Sequence, residues 1–96
     1  MKMNKLPKYM YSVATGAISF TQKRSREVYN FMASQDGFIT IYPAIGHTLF
    51  LYNSEKNAEK ARYMAKVREI QCGFNICRFR SDGESVITFV EVATYD

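Results

Sequence analysis

Three short stretches of the chain alternate in polarity with a period of two. In Phe38–Tyr42, Ile39 and Ile41 point to one side and Phe38, Thr40 and Tyr42 to the other. In Thr48–Tyr52, Leu49 and Leu51 oppose Thr48, Phe50 and Tyr52. Further along, Phe74, Ile76, Arg78 and Arg80 share one side, with Asn75, Cys77 and Phe79 on the other. Successive side chains leave a strand on opposite faces. The sorting therefore predicts strands with an aliphatic face for the core and a second face of rings and arginines.

Between these stretches the apolar spacing becomes helical. Over Gln22–Ser34, Val28, Phe31, Met32 and Gln35 fall on one face. Thr21 or Ser25 can cap the free N–H groups, Glu27 sits in the first turn, and Asp36-Gly37 ends the helix with Gly37 left-handed. A second helix is expected over Glu55–Gln71, capped by Asn53 or Ser54 and ended by Gly73. Ala58, Ala61, Met64, Ala65 and Cys72 form its apolar stripe, small enough to sit close on a sheet. Glu55, Glu59, Arg62, Lys66 and Glu69 form the opposite face, with Glu59–Arg62 and Lys66–Glu69 as i,i+3 pairs. Tyr63, Val67 and Ile70 widen the apolar arc toward the first helix or a partner.

Turn residues organise the strands into hairpins. Tyr9–Ala14 and Ala17–Thr21 flank Thr15-Gly16. Phe38–Tyr42 and His47–Tyr52 flank Pro43–Gly46, where an odd-numbered loop keeps aliphatic opposite aliphatic and ring opposite ring. Phe74–Arg80 and Ser85–Tyr95 flank Asp82-Gly83, and a two-residue turn there sets Phe79 opposite Val86. The order ββαββαββ predicts an α+β fold: a mostly antiparallel sheet of five or six strands with two helices on one face. If Tyr9–Thr21 is one bent strand, the order becomes β-α-β-β-α-β plus a strand, the ferredoxin-like arrangement with an extension. Ala14-Thr15-Gly16 with Phe20 echoes Ala44-Ile45-Gly46 with Phe50; an ancient ββα duplication would explain this, as would the repeated grammar of hairpin then helix, which is favoured.

Length and charge narrow this little. Ninety-six residues suffice for one core, read as a basic arm over residues 1–8 and a domain over 9–96. A net charge of +4 is a mild bias toward anionic partners. No apolar run approaches the roughly 20 residues of a membrane span, and the lysine-bearing start lacks an apolar segment after it. Cys72 and Cys77 are too few for a disulfide scaffold and fit a reducing cytoplasm.

No pattern of reactive residues emerges. His47 has no neighbouring ligand or acid, and a structural zinc site wants four ligands that are not here. Arg78 is near Cys77 in sequence but points to the other side of a strand, so it does not activate the thiol. The glycines are isolated, with neither phosphate-cradling pattern. These features imply no enzyme, no cofactor and no metal. The ring-and-arginine face remains as a partner-binding surface, composed of Tyr42, Phe50, Tyr52, Phe74, Arg78, Arg80 and Phe89. Such a face suits a protein interface. The expected function is a small non-catalytic modulator or inhibitor, of the kind phages and mobile elements carry. It would bind a host protein or nucleoprotein complex, such as a nucleic-acid-handling or defence assembly. The alternative is a single-stranded RNA or DNA binder, with rings stacking bases and arginines on phosphates. Ile45–Tyr52 shares with the RNA-recognition-motif signature only a glycine followed by spaced rings. An uncovered face can equally pair with a second copy of the chain.

Overall fold

The structure, a computed structural model, describes residues 6–81 and the backbone of the strand 89–95. Its elements are β1 (Tyr9–Gly16), α1 (Lys23–Ala33), β2 (Phe38–Ala44), β3 (His47–Tyr52), α2 (Glu55–Val67), β4 (Ile76–Arg80) and β5 (Phe89–Tyr95). The strands lie in the order β2-β3-β1-β4-β5, every neighbouring pair antiparallel. The class is α+β. β1–α1–β2 crosses over β3, and β3–α2–β4 crosses over β1, so two split βαβ units interleave around β1.

The N-terminal hairpin expected at Thr15-Gly16 does not form. β1 runs unbroken through Gly16 and pairs with β3 on one edge and β4 on the other. Neither edge is left for Ala17–Thr21 to occupy. That segment turns instead into α1, with the Ile18 N–H donating to Thr48 Oγ1 (3.3 Å) and the Ser19 N–H to Ser25 Oγ (3.1 Å). Ser25 is thereby engaged outside the helix, and α1 begins after Gln22 with no side-chain cap.

The β2–β3 loop is even, not odd. Ala44 pairs with His47 across Ile45-Gly46, and Gly46 at φ +83° supplies the positive φ the turn needs. This register sets Ile41 against Phe50 and Tyr42 against Leu49. A bulge between Phe38 and Thr40 then inserts one residue and restores Phe38 opposite Tyr52. The faces therefore mix. Phe38 and Ile41 pack on the helix side, while Ile39 and Tyr42 pack on the other. In the last hairpin Phe79 pairs with Val90 and Arg80 with Phe89, so the expected partnership of Phe79 with Val86 is not made. The Asp82-Gly83 turn lies outside the described residues.

Both helices cover the face that carries the rings. Val13, Phe50, Tyr52 and Ile76 of the sheet meet Met32 of α1 and Ala58, Ala61 and Ala65 of α2, all fully buried. Three alanines leave volume under α2 that only large sheet residues fill, because interiors pack to crystal-like density. The rings also contact one another edge-on: Phe38 and Tyr52 at 5.9 Å, Phe20 and Tyr29 at 5.2 Å between centroids. Phe50 and Tyr52 are 0% exposed, which corrects their assignment to an open face. The aliphatic side faces away from the helices and forms a smaller cluster of Met10, Leu51 and Phe79, padded by Leu6, Ile39, Tyr42, Leu49 and Cys77. Among the described residues no helix is long and apolar enough to cross a membrane.

Gly37 locks the two halves together. At φ +80° it follows α1, and its carbonyl accepts the Asn53 N–H (2.9 Å). A Cβ there would collide with the amide groups of Asn53 and Asn57, which are themselves hydrogen-bonded at 2.9 Å. At Gly46 a Cβ would meet open space. Replacing Gly37 by Ala is expected to cost about 1–3 kcal/mol in urea unfolding. Gly46→Ala is expected to cost less; equal losses would show that the close approach at Gly37 is immaterial.

Tyr52 donates to the Met32 carbonyl at 2.6 Å, and burial, then the neighbouring Cys72, pushes its phenol well above its ordinary range. The folded state thus holds the phenol proton more tightly than the unfolded chain. Its contribution to stability is complete below about pH 10 and falls as pH rises beyond. Tyr52→Phe is expected to lose about 1 kcal/mol at neutral pH. It is also expected to show a shallower loss of stability than the parent above pH 10, measured by unfolding at stepped pH.

Candidate functional site

The end of α2 shapes a concavity. The helix stops at Val67 rather than running to Gln71, and Glu69 takes φ +64°, a left-handed position usually held by glycine. The Ile70 N–H donates to the Ala65 carbonyl (2.8 Å) and the Glu69 N–H to that of Lys66 (3.0 Å). This 6→1 and 5→2 pair is a Schellman motif, and it turns Ile70 back into the core. Glu69 is therefore off the helix. Among the described residues the ion pairs are Arg24–Glu27 at 3.9 Å and Lys60–Asp36 at 3.1 Å, not the Glu59–Arg62 and Lys66–Glu69 pairs expected from helical spacing.

Beyond Ile70 the chain is anchored twice. Cys72 bridges to Thr15, and the Gly73 N–H donates to the Ala14 carbonyl (2.9 Å). Ile76 is then fully buried at the start of β4. Phe74 lies between these anchors with its side chain 87% exposed. Across from it, Tyr63 of α2 is 65% exposed. Together with Glu59, Arg62, Lys66 and Glu69 they line a groove of about 500 Å³. Cys72 also lines it, its Sγ 3.7 Å from the Ile70 carbonyl. Burial pushes that thiol up, only partly opposed by the Arg62 charge, which works against a thiolate there.

A second feature lies on the helix side of the sheet, where β1 and β4 pair. The register sets Tyr9 beside Arg80 and Tyr11 beside Arg78. The Arg78 guanidinium lies 4.7 Å from the centroid of the Tyr9 ring, and Lys8 Nζ lies 5.6 Å from it. Arg78 is half-buried, while Lys8 and Arg80 are exposed.

The seven residues expected to form one surface are thus dispersed. Phe50 and Tyr52 are core, and Tyr42 is half-buried on the opposite face of the sheet. Phe74 borders the groove, and Arg78 and Arg80 belong to the β1–β4 ledge. Phe89 is placed by backbone register beside Arg80, and its side chain lies outside the described residues. Sequence reasoning missed Tyr9 and Lys8, which join the arginines only because β4 pairs with β1. It also missed Glu69, since nothing marks it as left-handed. His47 is exposed at the β2–β3 turn. Among the described residues, no three His, Cys, Asp or Glu side chains gather as a metal-binding group.

A left-handed non-glycine residue stores strain, commonly at binding sites. Glu69→Gly is expected to raise stability by roughly 0.5–1 kcal/mol, read as an increase in Tm. An unchanged or lower Tm would mean that the Glu69 side chain compensates for its backbone.

Comparison with protein-family models, with curated proteins and with solved structures gives no match to the chain.

Proposed function

We propose that the chain is a non-catalytic binding domain that grips a protein partner through the groove between α2 and Phe74, acting as a modulator or inhibitor of a larger assembly. One observation carries this reading. Phe74 is held between the backbone contacts of Cys72 and Gly73 with β1 and the buried Ile76, yet its ring stands in solvent and lines the same groove as Tyr63. Exposed aromatic groups on a fixed frame lose little conformational freedom on binding and are frequent hot spots. The charges support a protein ligand over a polyanion. Glu59 and Glu69 offset Arg62 and Lys66, so the groove selects a mixed polar rim around an apolar anchor. The strand order, ferredoxin-like with an added edge strand, supplies the frame and does not itself specify a ligand.

The test begins with a photo-reactive side chain at position 74, to identify the protein that contacts the groove. Phe74→Ala and Tyr63→Ala are expected to leave unfolding free energy within about 0.5 kcal/mol of the parent. Each is expected to weaken the purified complex by about tenfold or more, since a hot-spot truncation costs at least about 2 kcal/mol. Unchanged affinity in both variants, with their folds intact, would exclude the groove as the binding surface.

A further inference from the structure

The ledge where β1 meets β4 is separate from the groove. Lys8 is fixed there by its backbone, its carbonyl accepting the Ser81 N–H at 2.9 Å. Its ammonium reaches back toward the Tyr9 ring, and Arg80 stands beside Tyr9 in the ladder. Both cations are exposed, and among the described residues neither takes part in an ion pair. Arg78 stacks against Tyr9, so a guanidinium and a phenol ring lie together beside the exposed Lys8 and Arg80. The chain preceding this ledge carries two more lysines, Lys2 and Lys5.

We infer that this ledge is a binding site for single-stranded nucleic acid, with Lys8 and Arg80 on consecutive phosphates and the Tyr9–Arg78 pair as a stacking platform for a base. Two charges that take part in no ion pair among the described residues gain by displacing condensed counter-ions from a phosphodiester chain. A ring with a stacked guanidinium provides the flat surface on which unpaired bases are held without sequence preference. An acidic peptide would use the charges and leave the platform idle, which is why a nucleic acid fits better. The groove, with its balanced charges, lacks this selectivity, so the two sites are independent.

Fluorescence anisotropy with a mixed-sequence 12-mer, as DNA and as RNA, tests the inference, with a glutamate polymer as competitor. Each phosphate contact on a single strand contributes a slope of about −0.7 to log K against log salt. The Lys8→Ala/Arg80→Ala variant is expected to show a slope shallower by about 1.4 than the parent. Those two contacts alone therefore account for a roughly sevenfold affinity loss between 50 and 200 mM salt in the parent. Lys23→Ala/Arg24→Ala removes the same formal charge from α1 and is expected to leave the slope unchanged. DNA and RNA binding equally points to the phosphodiester alone, and preference for RNA adds a contact to the 2′-hydroxyl; either supports the site. No binding to either strand at 50 mM salt would overturn the inference. So would equal losses in the two double variants, or displacement by the glutamate polymer at matched charge. Because Phe74 and Tyr63 are not on the ledge, failure here leaves the protein-binding reading of the groove standing, and the converse holds.

Discussion

The contact on which the structure turns is that of large rings with small helix residues. Ala58, Ala61 and Ala65 present a nearly flat surface to the sheet, and Phe50 and Tyr52 rise from β3 to fill the space beneath the helix layer. Exchanging sizes across an interface preserves packing density, so a helix stripped to methyl groups demands bulk from its partner. Once this is satisfied, much else follows. The ring face is the covered face. The Tyr52 hydroxyl reaches Met32 and ties α1 to the same strand. Leu49 and Leu51 are turned to the far side, where they join Met10 and Phe79 in a second cluster.

This arrangement also explains where apolar surface is left over. Two helices of about 10 Å diameter span a layer roughly as wide as four strands spaced ~4.8 Å apart. α2 packs chiefly on β1, β3 and β4, and α1 on β2. The connector from α2 to β4 is tied to β1 at Cys72 and Gly73, and Phe74 beyond them lines the same groove as Tyr63. The Schellman turn at Glu69 makes this region concave, since a helix continuing to Gln71 would fill the same space. The end of the helix and the shape of the groove are thus the same structural event.

Much of the helical grammar was legible in the chain. Ser54 caps α2 through the Asn57 N–H as its position suggested, and the alanine stripe marked the buried side. Four features were not legible, each for a physical reason. Both faces of the sheet are apolar, so alternation could sort residues into sets without saying which set the helices cover. The parity of the β2–β3 loop was hidden by the bulge at Phe38/Thr40, which undoes over one residue what the turn sets up. The end of α2 was hidden because a glutamate holds the left-handed position, leaving Gly73 as the visible but incorrect stop signal. The pairing of β1 with β4 is a long-range contact that no local pattern announces, so the union of Tyr9 with Arg78 and Arg80 could not be read in advance.

The two faces are inverted: the strand rings Phe50 and Tyr52 are interior, and the connector ring Phe74 stands at the surface. Fluorine NMR of protein labelled with 4-fluorophenylalanine, titrated with a soluble paramagnetic agent, reports on each ring separately. The Phe74 resonance is expected to relax strongly and the Phe50 resonance to be protected. Strong relaxation of Phe50 with protection of Phe74 would contradict the account.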